Sequence, residues 1–196
     1  GVQFDAKLQN LNVNFEKKLL EMDKVINFWK YRFLTPIGRA VVAKTLFIPK
    51  LNHLTMILPT IDATLMKRIE NKIYSFIWKG KDKVCRKVAK LPYKAGGLSF
   101  PDIYASFTAF KISWLRRSIN NDSTWKRILD SLIDEVHPGL TSSDLFSSVG
   151  TVSVGNLAKN IKSTFWKETL IQTKKLLLAL VDTKPDVILN LYIYNS

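Results

Sequence analysis

From Leu8 onward, apolar residues fall at positions 8, 11, 15, 19, 22, 26, 29 and 33. The steps are only threes and fours, so these residues share one face of a helix sustained for about seven turns. At about 1.5 Å per residue the spacing predicts a rod of roughly 39 Å. Lys7, Lys17, Lys18, Lys24 and Lys30 lie off the stripe. A continuous apolar face of this length needs other helices to cover it, so the expected fold is mainly α.

The chain supplies those helices. In "LTPIGRAVVAKTLFIPKL" Thr35 suits an N-cap and Pro36 the first helical position. Ile37, Val41, Thr45 and Ile48 would share a face, Arg39 and Lys50 would lie about 20° apart around the axis, and Pro49 should kink or break the helix. Asp62 can cap the next helix, with Ile61 and Met66 as a hydrophobic staple. Leu65, Ile69, Ile73, Phe76 and Ile77 form its apolar face, Trp78 belongs to the core, and Gly80 ends it. Ile103, Phe107, Phe110 and Trp114 predict a helix opened near Pro101, with Arg116 and Arg117 in its last turn. Ser123 should cap another that buries Trp125, Ile128, Leu129, Leu132 and Ile133, stopped by "HPG" at 137–139. "TSSDLFSSVGTVSVGN" reads as a connection. A last helix over about 156–181 would bury Trp166, Leu170, Leu177 and Val181.

Charge is distributed unevenly along the chain. The net formal charge is +14, and residues 1–130 hold 24 Lys and Arg against 10 Asp and Glu, while residues 131–196 hold six of each. The whole excess belongs to the first two-thirds, which points to a polyanionic partner.

Most catalytic constellations are excluded by inventory. Cys85 is the only cysteine, and His53 and His137 are the only histidines, so neither a disulfide nor a Cys/His zinc site can be assembled within the chain. His53 reads as a surface or locally bonded residue, and His137 as part of a stop signal. "GKDK" at 80–83 lacks the spacing of a phosphate loop, and no Gly-x-Ser-x-Gly elbow occurs. Pro101-Asp102 with Asp182-Thr183-Lys184 loosely resembles a metal-dependent nuclease pattern. Pro-Asp is equally a helix start, where an acid suits the dipole. No apolar run approaches the roughly 20 residues that span a bilayer.

Helical periodicity lapses at 79–97, where the densest charge lies: Lys79, Lys81, Lys83, Arg86, Lys87, Lys90 and Lys94, against Asp82 alone. This segment should be irregular or a short strand pair, with Gly96 and Gly97 supplying positive φ and permitting close backbone approach. The cations could be a solvated loop. Set between Trp78 and Tyr93, and added to the surplus of the preceding helices, they read better as phosphate contacts without sequence preference.

The series Trp29 and Arg32, Gly38-Arg39, Pro59, "FIW" at 76–78, Gly96-Gly97-Leu98, Pro101-Asp102 and Trp114 resembles, in order and spacing, the region that follows the palm in LINE-type (non-LTR) retrotransposon reverse transcriptases. "GVQF" is similar to the end of the last palm strand. The resemblance covers about residues 1–130. It implies a helical thumb that holds the template–primer duplex by its backbones, followed by a linker. Catalysis would belong to palm aspartates, including an Ala-Asp-Asp motif absent here. The chain itself would then be no enzyme and hold no cofactor, Mg²⁺ being expected only in the palm, and the Cys/His zinc element and endonuclease of many relatives are not in it.

The expected organisation is a thumb-like bundle over 1–80, a basic junction with linker helices over 81–139, and a Ser/Gly-rich connection with a C-terminal helix over 140–196. "VILNLYIYNS" reads as a strand lacking its partner, and the chain as a piece of a longer intracellular protein of the nucleus or cytoplasm. Expected partners are RNA, RNA–DNA or DNA duplex and the palm and fingers of the parent polymerase. The expected contacts are Arg32, Arg39, Lys44, Lys50, Lys79, Lys81, Lys83, Arg86, Lys87, Lys90, Lys94, Gly96 and Gly97. The rival reading is a basic helical module that binds acidic protein, chromatin or an anionic membrane.

Overall fold

The N-terminal stripe folds as α1, Asn12–Trp29, about 27 Å long and shorter than its periodicity suggests. Phe15, Leu19 and Met22 are buried, while Phe33 has left the helix and is fully exposed. Pro36 disfavours α geometry at the residue before it. Thr35 is accordingly extended at ψ 163°, and the chain leaves α1 before reaching it. The computed structural model describes residues 2–3, 11–59, 62–119, 122–146 and 148–183, without the side chains of 146–153 and 179–183. Leu8 and Ile61 lie outside them. The chain is mainly helical, with no strand among the described residues. It divides into two compact units, Gly1–Phe107 and Thr108–Ser196. That boundary falls inside one helix.

In the first unit α2, Pro36–Val42, runs through a π-helical turn at Ala43–Phe47 into α3, Ile48–Ile57. The Thr35 hydroxyl accepts from the Gly38 N–H at 3.2 Å, the expected cap. Pro49 does not break the helix. The wider turn lies just before it, and the Ile48 N–H reaches back to Ala43 O. That widening relieves the clash a proline ring makes with the preceding turn. The buried side is Ala40, Ala43, Phe47, Leu51 and Leu54, whereas Ile37, Val41 and Thr45 face solvent. Alanines on the inner side let this helix lie close to α4.

α4, Ala63–Trp78, begins on Asp62, whose carboxylate accepts from the Leu65 N–H at 2.7 Å. All five expected apolar positions are buried, and Tyr74 joins them. Each such side chain contributes about 1.5–3 kcal/mol relative to exposure. Trp78 is half-buried against the same core. The left-handed residue that ends α4 is Lys79 (φ 56°), one position before the expected glycine. Near the N-terminus the Asn14 amide accepts from the Gln3 N–H and donates to Gln3 O, both at 2.7 Å.

The 80–100 segment forms no strand. It holds a single helical turn, α5 (Arg86–Ala89), a 3₁₀ turn at Tyr93–Ala95, and a doubled-back chain in which Leu98 and Phe100 N–H both reach Ala89 O. Gly96 has the expected positive φ, 79°. Gly97 does not, and is required for another reason. A Cβ there would lie 2.0 Å from Leu91 O and 2.7 Å from Val88 O.

The helix α6, Ile103–Ser118, carries Ile103 and Phe107 into the first core and Leu115 into the second. In the second unit α7, Thr124–Asp134, buries Leu129 and Ile133, but Ile128 is exposed. Ser123 stands at its N-cap position without making the cap bond. The Ser/Gly-rich stretch is not a connection: after a 3₁₀ turn at Ser142–Phe146 it forms α8, Ser148–Asn160, which packs on α9, Thr164–Thr183. Val154, Leu157, Ala158 and Ile161 carry the helical spacing that the small residues obscure. Trp166, Leu170 and Leu177 are buried as expected, and Trp114, Trp125, Phe165 and Trp166 meet edge-on or stacked. The Lys111 ammonium is buried here, 2.8 Å from Glu168.

Gly97→Ala should lower stability by about 2–4 kcal/mol because backbone must move. Gly96→Ala should cost about 1 kcal/mol, for its left-handed conformation alone. Urea unfolding followed by tryptophan fluorescence measures both, and equal costs would contradict the packing at Gly97.

Candidate nucleic-acid interface

The basic segment leaves α4 at Lys79. The N–H groups of Lys79 and Gly80 both turn back to Ser75 O. The Phe76 carbonyl is taken instead by Arg39, whose Nη1 donates to it at 3.1 Å while Nε donates to Leu34 O at 3.3 Å. The guanidinium lies 5.7 Å from the centre of the Phe76 ring and only 2% of the residue is exposed. Burial lowers the Arg39 pKa from its ordinary value, yet a guanidinium remains protonated. Arg39 is therefore not the phosphate-facing residue expected from its place beside Lys50. It is a buried cation at the negative end of α4.

Three more of the expected contacts turn out to be fastenings. Arg86 donates to Asp82 at 2.9 Å and to Asn71 at 2.7 Å, approaches Glu70 at 3.6 Å, and lies 4.6 Å over the Tyr74 ring. Buried beneath it, the Tyr74 hydroxyl is pushed up to about 12, by desolvation first and then by Glu70. Lys90 reaches Asp102 at 2.5 Å, and the same carboxylate accepts the Ala105 N–H at 3.0 Å, starting α6. Lys44, on the π-helical turn, donates to Leu98 O at 3.1 Å and Tyr93 Oη at 3.3 Å. Asn71, Glu70 and Tyr74 were not legible as anchors. Their only signal was a polar strip beside the apolar face of α4.

Lys79, Lys81, Lys83, Lys87 and Lys94 remain exposed, with no ion pair among the described residues. The segment thus has a fastened backbone carrying loose ammonium groups. Arg32 is exposed too, over the rings of Phe28 and Trp29, and Lys50 is half-buried. Gly96 is open to solvent. The close approach that Gly97 allows is already used by this chain's own Leu91 carbonyl.

Of the nuclease-like pattern, Asp102 is committed to Lys90 and the start of α6, and Asp182 and Lys184 lie outside the described side chains. No group of three or more His, Cys, Asp or Glu suited to a metal occurs among the described residues. His53 is exposed, and His137 Nε2 lies 3.0 Å from the Asn156 amide.

Arg86→Ala should destabilise the chain by about 1–2 kcal/mol, since it leaves the half-buried Glu70 without its cation and uncovers the Tyr74 ring. Single Ala changes at Lys81, Lys83, Lys87 or Lys94 should each cost less than about 0.5 kcal/mol. Similar losses at all five positions would erase the distinction between fastening and loose cations. Asp102 gives a second test. Desolvation raises its pKa, but Lys90 and the Ala105 N–H outweigh it and hold it below 3.8. The stabilisation is therefore complete above pH 3.8 and lost as pH falls through the folded value. Asp102→Asn, which can still cap α6, should lower stability near pH 7 and make no difference near pH 2. An equal loss at both would show that the Lys90 pair contributes nothing. Comparison with protein-family models, with curated proteins and with solved structures finds no match.

Proposed function

We propose that this chain binds nucleic-acid duplex through its phosphates, as the thumb and linker of a LINE-type (non-LTR) retrotransposon reverse transcriptase whose catalytic aspartates lie in the palm. The observation that carries the binding is the exposure of Lys81, Lys83, Lys87 and Lys94, with no ion pair among the described residues, on a segment whose other cations fasten it to α4, α6 and the π-helical turn. A held backbone fixes where the charges sit, and flexible lysine stems let each follow a phosphate without reading sequence. The net charge of +14 adds a long-range attraction for polyanions. The order of the sequence blocks supports the thumb assignment. No helix among the described residues is long and apolar enough to cross a membrane.

The test is the quadruple variant Lys81→Ala, Lys83→Ala, Lys87→Ala, Lys94→Ala, which spares every fastening residue. Its affinity for an RNA–DNA hybrid should fall, and the slope of log affinity against log salt should flatten by roughly 0.9 for each phosphate that is no longer neutralised. Unchanged hybrid affinity, or anionic vesicles bound as well as the hybrid, would overturn the proposal.

A further inference from the structure

A recess of about 600 Å³ opens in the first unit between the end of α1, the following turn, α2 and the end of α4. Its lining includes the cations Lys30, Arg39, Lys72 and Lys79 and one carboxylate, Asp23, which is already paired with Lys72 at 2.6 Å. Two groups there are unusual. Arg39, although almost fully buried, has an Nη2 with no partner among the described residues. That Nη2 is closed to solvent like the rest of the group, so Arg39 adds a fixed positive charge to the wall of the recess rather than a direct contact. Lys79 occupies a left-handed position that glycine would take without strain, and its ammonium has no ion partner among the described residues. The balance of charge in the recess suits a phosphate.

Beside it lies a surface that phosphate alone does not explain. Tyr31 lines the recess and is 78% exposed, with Lys30 Nζ 4.8 Å from its ring centre. Phe28 and Phe33 are also exposed, and Arg32 covers the Phe28 ring at 5.0 Å. Open aromatic faces next to cations are what unpaired bases stack on, whereas bases inside a duplex are already stacked on one another.

We propose that the recess seats one phosphate of a single-stranded nucleic acid, whose adjacent base stacks on Tyr31. It shares no residue with the four lysines assigned to duplex, so either site can fail without the other. Arg39 is a poor probe because its loss would unsettle α4. Tyr31→Ala and Lys79→Gly are better, since the first removes an exposed ring and the second relieves a left-handed lysine. The probe is a fluorescein-labelled oligothymidylate of about eight nucleotides, titrated against the full chain by anisotropy. Tyr31→Ala should weaken it roughly tenfold. Lys79→Gly should weaken it while raising the unfolding midpoint, a combination that a purely structural lysine would not produce. Tyr31→Ala should not change affinity for a blunt RNA–DNA hybrid. Unchanged oligothymidylate affinity in both variants would overturn the proposal, as would an equal loss of hybrid affinity in Tyr31→Ala. Displacement of the probe by equimolar inorganic phosphate would assign the recess to a free phosphate and overturn the strand reading.

Discussion

The first unit depends on a buried guanidinium. Arg39 joins the turn after α1, through Leu34 O, to the last turn of α4, through Phe76 O, from a position on α2. A cation in that place has three effects. It satisfies a carbonyl that the helix end leaves open, it opposes the negative end of the α4 dipole, and it sets how far apart α2 and α4 sit. Ala40 and Ala43 on the same helix are fully buried, so the backbones are already close, and only a planar, always-charged group bridges that gap with two donors. The exit of the chain into the basic segment follows from this, because Lys79 begins its turn over a carbonyl Arg39 has taken.

The basic segment carries out two tasks with one residue type. Arg86, Lys90 and Lys44 are spent on Asp82, Asn71, Asp102 and the Leu98 carbonyl, and the remaining lysines are free for solvent or a ligand. The division follows reach and neighbourhood rather than charge. Arg86 lies over Tyr74 and near Glu70, whereas Lys81 and Lys83 have no acid but Asp82 nearby in sequence. This explains how a stretch with so few apolar residues keeps a defined path. Its own backbone closes on Ala89 O and Leu91 O, a closure that only glycine at 97 allows.

The sequence exposed the fold more completely than the candidate site. The face of α4 was legible because five apolar residues recur at helical steps behind a capping aspartate. α8 was not, because Ser and Gly hid the spacing of Val154, Leu157 and Ala158, and burial against α9 overrode weak propensity. The faces of α2 were exchanged because alanine, weakly hydrophobic by count, is the side that fits inside. The cationic site was legible as a cluster but not as roles, since no local pattern distinguishes Arg86 over Tyr74 from Lys87 in solvent.

Sequence by itself determined the helical class, the helix starts at Thr35 and Asp62, the lapse of helical periodicity over 80–100 and the surplus of positive charge. These follow from local terms: periodicity, capping chemistry, glycine and proline geometry, and formal charge. Tertiary structure decided which cations are consumed, that Pro49 sits inside a widened helix, that Gly97 admits Leu91 O, and that Arg39 is buried. Each of those outcomes depends on a partner that the fold supplies, such as Phe76 for Arg39 or Asn71 for Arg86, and a hydrogen bond or a steric limit exists only once the fold has brought both members together.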